Sequence, residues 1–387
     1  MQSKFRIKES QLIIISTIIL ALTGIIMIYS ASSYSAEKQF GDAYYYVKKQ
    51  SVAFAAGIIF MIIGGRIRIE FLKKIKWVIL AVSVILLALV FVPKLGVESY
   101  GATRWLNLGV ITIQPSELAK FGLMIFLAAY MTDYPPTNLK RFIVPALSAG
   151  AICALIILEP NMSITMCVGM AFIILVFVAG LPNKWLAVMV GLLAVAVPLL
   201  IILEPYRLKR FFAFLDPWQN PKDEGYQLIQ SYYALGNGGL FGVGLFASRQ
   251  KYLFLPFAES DFIFSVIGEE LGLVGCVAVI AVFATLIICG ARAALNAKDR
   301  FGCLLATGLT TVIALQTIIN LTVVTGMIPP TGVPLPYVSA GGTGLVTFMF
   351  VSGILYNVSA GKTHDESPRV FSKESTHLSR FYRHSMY

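Results

Sequence analysis

Apolar residues along the chain bunch into runs separated by polar stretches, falling at about 11–31, 51–65, 77–93, 116–131, 142–158, 162–181, 185–203, 262–290, 303–324 and 342–358. Most runs approach the length that crosses a hydrocarbon core of roughly 30 Å at about 1.5 Å per helical residue. The pattern therefore predicts an all-α polytopic membrane protein of about ten transmembrane helices. The second run is short and the 262–290 run is long, which points to tilt or an interfacial extension there. The connection 204–261 is far longer than joining two helices requires, and such loops usually carry function. The pattern divides the chain into an N-terminal segment 1–10, a membrane domain 11–358 and a polar, charge-rich tail 359–387 expected to be disordered.

Composition agrees. The chain is 57% hydrophobic and 13% charged, with a mean hydropathy of +0.77, whereas a soluble domain is about a quarter charged. The first apolar run follows Lys4, Arg6 and Lys8 without a small-residue cleavage site, so it reads as a retained anchor. Connecting segments on the N-terminal side carry 19 Lys and Arg against 11 on the other. Both termini are then expected in the cytoplasm and the 204–261 loop outside. Basic cytoplasmic loops account for the net charge of +11 without nucleic-acid binding.

The five cysteines lie in or beside apolar runs with no CxxC spacing and read as packing residues. His364, His377 and His384 all fall in the tail. Acid-base chemistry at the membrane or outside it is left to carboxylates. No cluster has metal-ligand spacing, so no resident cofactor is expected. A divalent ion, Mg²⁺ or Mn²⁺, would be held mainly by substrate phosphates with one or two carboxylates.

Polar chemistry concentrates in a few stretches. In GATRWLNLGVITIQPSELAKF, residues 101–121, Gln114, Pro115 and Ser116 form a helix start. Glu117 and Lys120 then lie three apart on one helix face, and charges there must pair or face water. A structural ion pair and a substrate role are both open. The long loop holds Gly236, Gly238, Gly239, Gly242 and Gly244, suited to close backbone approach, but no P-loop lysine. Arg207, Lys209, Arg210, Arg249 and Lys251 stand around them, interleaved with aromatics. They suit either a grip on phosphate oxygens or an interfacial belt, and composition alone favours the belt.

Asp261 ends the loop just before an apolar run, where it reads as a helix N-cap, as a carboxyl raised toward a general base's working range, or as both. Residues 326–345, with four prolines and adjacent Gly341 and Gly342, suit a stiff turn or rigid backbone lining a cavity at membrane depth.

Together, TRWLNLG, QPSELAK, GNGGLFGVGL, DFIFSVIGEELG and TGVPLPYVSAGG, in this order, resemble the SEDS family of FtsW, RodA and SpoVE proteins over about residues 11–358. SRQK at 248–251 is closer to the FtsW and SpoVE branches. The resemblance implies a peptidoglycan glycosyltransferase that polymerises lipid II outside the cell membrane, in division or sporulation, with a class B penicillin-binding protein. The nascent undecaprenyl diphosphate-linked glycan, membrane lipid, and divisome or sporulation proteins are further implied partners, and enrichment at the division septum is the implied location. A lipid II flippase and a scaffold for the penicillin-binding protein are the competing readings.

The family's essential aspartate maps to Asp261. Substrate contacts are expected at Arg104, Glu117, Lys120, Arg207, Arg210, Arg249, Lys251, Glu259 and Ser339, with no metal ligand. The chain departs from the family pattern at Phe257, where a glutamate is frequent, at Asn161, where an aspartate is common, and at Ala340, where a tyrosine is frequent.

Overall fold

The computed structural model describes residues 8–99, 102–107, 109 and 112–361; the tail and its three histidines lie outside them. The chain opens with α1 (Glu9–Phe40), α2 (Tyr45–Arg66), a short α3 (Ile69–Lys74) and α4 (Lys76–Leu89). A hairpin follows, with β1 (Gly96–Ser99) antiparallel to β2 (Ala102–Asn107) and β2 antiparallel to β3 (Thr112–Ile113). Then come α5 (Pro115–Asp133), α6 (Leu139–Leu158), α7 (Met162–Val178) and α8 (Asn183–Ile202). The long connection contains α9 (Pro205–Leu215) and α10 (Tyr226–Gly238), and α11 (Ile263–Leu295), α12 (Arg300–Val324) and α13 (Gly342–Ala360) complete the bundle.

Every expected span has its helix, and the protein is an all-α polytopic membrane protein with one large loop. Among the described residues six helices, α1, α2, α6, α11, α12 and α13, are long and apolar enough to cross a bilayer by length and composition, and α4, α7 and α8 are shorter apolar helices. The second run proves longer than expected because α2 begins at Tyr45, taking in a polar turn with Lys48, Lys49 and Gln50 that helical geometry accepts and hydropathy does not register.

α5 owes its weak apolarity to Glu117 and Lys120, and 15 of its 19 residues are buried. It packs against α4, α6, α7, α12 and α13 at the centre of the bundle, where protein replaces lipid as its surroundings. Asn138, Asn161 and Asp299 cap α6, α7 and α12 with their side chains, and Pro115 opens α5 where a missing N–H is harmless.

The long α11 is broken at Gly272, whose φ of 65° and ψ of −166° leave the helical region. The glycine-rich segment closing α10 fills the break. Val243 and Gly244 donate N–H groups to the carbonyls of Glu269 and Glu270 at 2.9 and 3.1 Å, while Leu273 and Val274 donate to Gly239 and Leu240 at 2.9 and 3.1 Å. The backbone groups freed by the break are thus paired again, as non-helical backbone at membrane depth requires. A Cβ at Gly238 would lie 1.9 Å from the Gly268 carbonyl oxygen, so no larger residue fits at that crossing.

Candidate active site

A cavity of about 260 Å³ opens where the β hairpin, the start of α5, the segment before α11, α12, the 325–341 loop and α13 meet. Arg104 and Trp105 reach it from β2, Glu117 from α5, Asp261 from the loop end and Gln316 from α12. The proline-rich stretch lines it through Gly332, Pro334, Leu335 and Pro336, so it is cavity-lining backbone and more than a stiff turn.

Asp261 does not cap α11. The N-cap position is Phe262, with no side-chain capping bond, so the Asp261 carboxyl is not committed to a helix terminus. Its segment is held instead by three consecutive carbonyls. Ala340 N–H donates to Glu259 O at 2.9 Å, Ser339 Oγ to Ser260 O at 2.6 Å, and Asn320 Nδ2 to Asp261 O at 2.8 Å. Gly332, at φ +70°, lies against the carboxylate, and a Cβ there would sit 3.3 Å from Oδ2. Burial pushes the Asp261 carboxyl up to about 6, opposed by Arg210 and Arg104 and reinforced by Glu259. Glu259 is itself raised by burial. It is half-buried and does not line the cavity.

Glu117 and Lys120 pair at 2.7 Å with both side chains buried, as their spacing predicts. Lys120 Nζ also donates to Gln316 Oε1 at 2.5 Å and lies 4.6 Å from the centre of the Phe348 ring. Gln316 Nε2 passes the connection to Pro334 O at 3.0 Å. Lys120 is thus a buried hub joining α5 and α12. Glu117 lines the cavity, with Oε1 lacking a hydrogen-bond partner.

The basic residues expected to converge do so only in part. Arg104 lines the cavity while donating from Nε to Glu159 O at 3.1 Å and from Nη2 to Pro160 O at 2.6 Å. Arg210 acts on Asp261 electrostatically, and its Nη1 reaches Pro330 O at 3.5 Å. Arg207, one turn earlier on α9, is half-buried but is not in the cavity wall.

Arg249 and Lys251 lie outside the cavity wall as well. Arg249 is exposed, and its main-chain N–H donates to Glu269 Oε1 at 3.1 Å. Lys251 is buried, with Nζ 2.6 Å from Phe246 O, 3.1 Å from Ser30 Oγ and 3.3 Å from Glu270 Oε1. A buried ammonium needs a counter-charge, and Glu270 supplies it. Around the same turn Ser248 Oγ donates to Glu269 Oε2 and Ser248 N–H to Glu270 Oε1 at 3.1 Å, so the SRQK stretch wraps the two glutamates below the break in α11. Ser339 lines the cavity, but its hydroxyl is engaged with Ser260 O and with Leu335 N–H at 2.8 Å.

Gln316, Asn320 and Glu159 carry polar weight that the sequence reading passed over. Gln316 and Asn320 stand four apart in an apolar run, a signal available from sequence. Glu159 directly follows α6 and is buried without a partner for either carboxylate oxygen. Burial pushes it up to about 8 despite the attraction of Arg104. No group of three or more His, Cys, Asp or Glu suited to a metal occurs among the described residues.

The profile of the cell cycle protein family FtsW, RodA and SpoVE matches residues 10–364. A Geobacter metallireducens protein named "Probable peptidoglycan glycosyltransferase FtsW" is 38% identical over 92% of this chain and 97% of its own length. "Stage V sporulation protein E" of Bacillus subtilis is 38% identical over 90% of this chain and 96% of its own length. A solved chain reported under "Structural coordination of polymerization and crosslinking by a peptidoglycan synthase complex" aligns at a TM-score of 0.76 and 29% identity, covering 91% of this chain and 98% of that one.

Proposed function

The chain belongs to the cell cycle protein family of FtsW, RodA and SpoVE and is a peptidoglycan glycosyltransferase, and on that premise we propose that it polymerises lipid II in the 260 Å³ cavity with Asp261 as general base. The observation that carries this reading is a carboxyl that faces the cavity, is free of helix capping and has its backbone tied at three successive carbonyls.

The acceptor's N-acetylglucosamine 4-hydroxyl attacks C1 of the growing glycan while Asp261 takes its proton. The C1–oxygen bond to undecaprenyl diphosphate breaks with inversion, and the diphosphate leaves with the bonding electron pair. Arg104, with Arg210 nearby, meets the charge on the departing diphosphate. Glu117 Oε1, an unpaired acceptor beside the cavity, is where a divalent ion accompanying the diphosphate would find a protein ligand and help neutralise that charge.

The excess of Lys and Arg on the N-terminal side supports cytoplasmic termini and an outward-facing cavity. Similarity to a chain of a synthase complex supports a class B penicillin-binding protein as partner. Similarity to both FtsW and a sporulation protein supports action at a septum alongside divisome or sporulation proteins. Polymerisation is favoured over lipid transport because the buried charged side chains of the helices sit in two local clusters, Glu117 with Lys120 and Glu270 with Lys251 of the loop, beside Glu269.

The test is polymerisation of lipid II by the purified protein, alone and with the penicillin-binding protein. Asp261→Asn should remain folded and bind its partner while losing on the order of 10²- to 10⁴-fold in rate. Because the base must be ionised and its carboxyl is raised to about 6, the wild-type rate should fall as pH drops through that value. Near-normal polymerisation by Asp261→Asn would remove the base assignment from Asp261.

A further inference from the structure

Asn320 lies near the end of α12 at 1% exposure, within an apolar helix. Three threonines of this helix, Thr307, Thr317 and Thr322, bond the carbonyls of Cys303, Ile313 and Ile318 one turn back. Asn320 bonds outward instead. Its Nδ2 spends both hydrogens on other segments, donating to Asp261 O at 2.8 Å and to Val333 O at 2.7 Å. Its Oδ1 is buried without a partner. Leaving an acceptor unsatisfied costs roughly 1–3 kcal/mol, so stability alone is a poor reason for an amide here.

Both of its acceptors flank the cavity. Asp261 stands on one wall, and Val333 lies between Gly332 and Pro334, which form part of the other. Gly332 is also the residue pressed against the Asp261 carboxylate. One carboxamide therefore sets how far the aspartate-bearing segment stands from the loop facing it. A single hydroxyl proton could bond only one of the two carbonyls, and an aspartate could donate to neither when ionised.

We propose that Asn320 is a positioning residue for glycosyl transfer, locking the Asp261 peptide to the 325–341 loop and thereby aiming the carboxyl into the cavity. This rests on the reading of Asp261 as the base. Misplacing a reacting group by about 1 Å can cost roughly 10²-fold in rate, so Asn320→Ala should lower kcat for lipid II polymerisation by about 10- to 100-fold with little change in KM. A second readout separates aiming from stability. A loosened segment admits water to the carboxyl, so the acid limb of the pH–rate profile should move below its wild-type position. The charged groups facing Asp261 remain in place, namely Glu259 on its own segment, Glu117 on α5, Arg104 on β2 and Arg210 on α9.

The experiment compares Asn320→Ala, Asn320→Ser and Thr307→Val, each checked for folding in detergent. Thr307 bonds the Cys303 carbonyl on the same helix, about 20 Å along it from Asn320, and serves as the structural control. The expected result is a kcat loss with a displaced acid limb in Asn320→Ala, an intermediate effect in Asn320→Ser, and neither in Thr307→Val. Should the alanine variant not fold, the serine variant carries the test. An unchanged kcat, or a lowered kcat with the acid limb unmoved, overturns the proposal while leaving the base assignment standing. Full activity of Asp261→Asn, measured in parallel, would instead remove the base assignment itself.

Discussion

At the scale of single residues, Lys120 shows how far a charge can be taken from water once every contact is supplied. Its ammonium meets Glu117, Gln316 and the Phe348 ring. Removing either member of the ion pair leaves the other charge buried and alone, at about 3–5 kcal/mol, whereas removing both relieves the mismatch. Glu117→Gln and Lys120→Met should each lower the melting temperature in detergent more than the double variant does. Additive losses in that cycle would show that the pair is not coupled. The pair's existence was legible from two charges three apart in an apolar run. Its third member was not, because Gln316 is 196 positions away and an isolated carboxamide in a membrane span names no partner. Lys251 misled for the same reason. The family resemblance places it among the substrate contacts, and only the fold brings Ser30 and Glu270 to it.

At the scale of elements, the glycine motif within the long loop and the GEELG stretch of α11 explain each other, since one supplies the backbone groups that the other lacks. Neighbouring glycines of one motif should therefore respond in opposite ways. Gly242 has φ +80°, and a Cβ there would lie 2.1 Å from Glu270 O. Gly242→Ala should destabilise by about 1–3 kcal/mol from backbone conformation alone, with the clash added. A Cβ at Gly236, on the exposed side of α10, meets nothing within 4 Å. Gly236→Ala should be neutral or stabilise by roughly 0.5–1 kcal/mol through helix propensity. Equal thermal shifts in the two variants would contradict this account of the break. Hydropathy found the spans because lipid imposes length and apolarity, but it could not place the interruption at Gly272, which depends on a segment some thirty positions upstream. Nor could it find α9, α10 and the β hairpin, whose mixed polar and aromatic residues read as loop until tertiary contacts select their shape.

At the scale of the whole molecule, the cavity draws its walls from segments as far apart in sequence as Arg104 and Phe348, with the buried α5 contributing Glu117. The interruption at Gly272 divides α11 into two helical stretches. The glycine segment binds both sides of the break, Glu269 and Glu270 before it and Leu273 and Val274 after it; residues 263–271 adjoin Asp261, and 273–295 form a long rod with lipid-facing side chains such as Val277, 55% exposed. A rod in a bilayer tilts to match the hydrocarbon thickness, and a continuous helix would carry that tilt directly to the aspartate. A non-helical joint at Gly272 is expected to act as a vibration damper, keeping the site's alignment from following the tilt of the rod. Reconstituted into bilayers of shorter and longer acyl chains, a spin label at Val277 should report changing tilt while the acid limb of polymerisation stays in place. An acid limb that drifts with chain length would mean that the rod and the catalytic turn move as one.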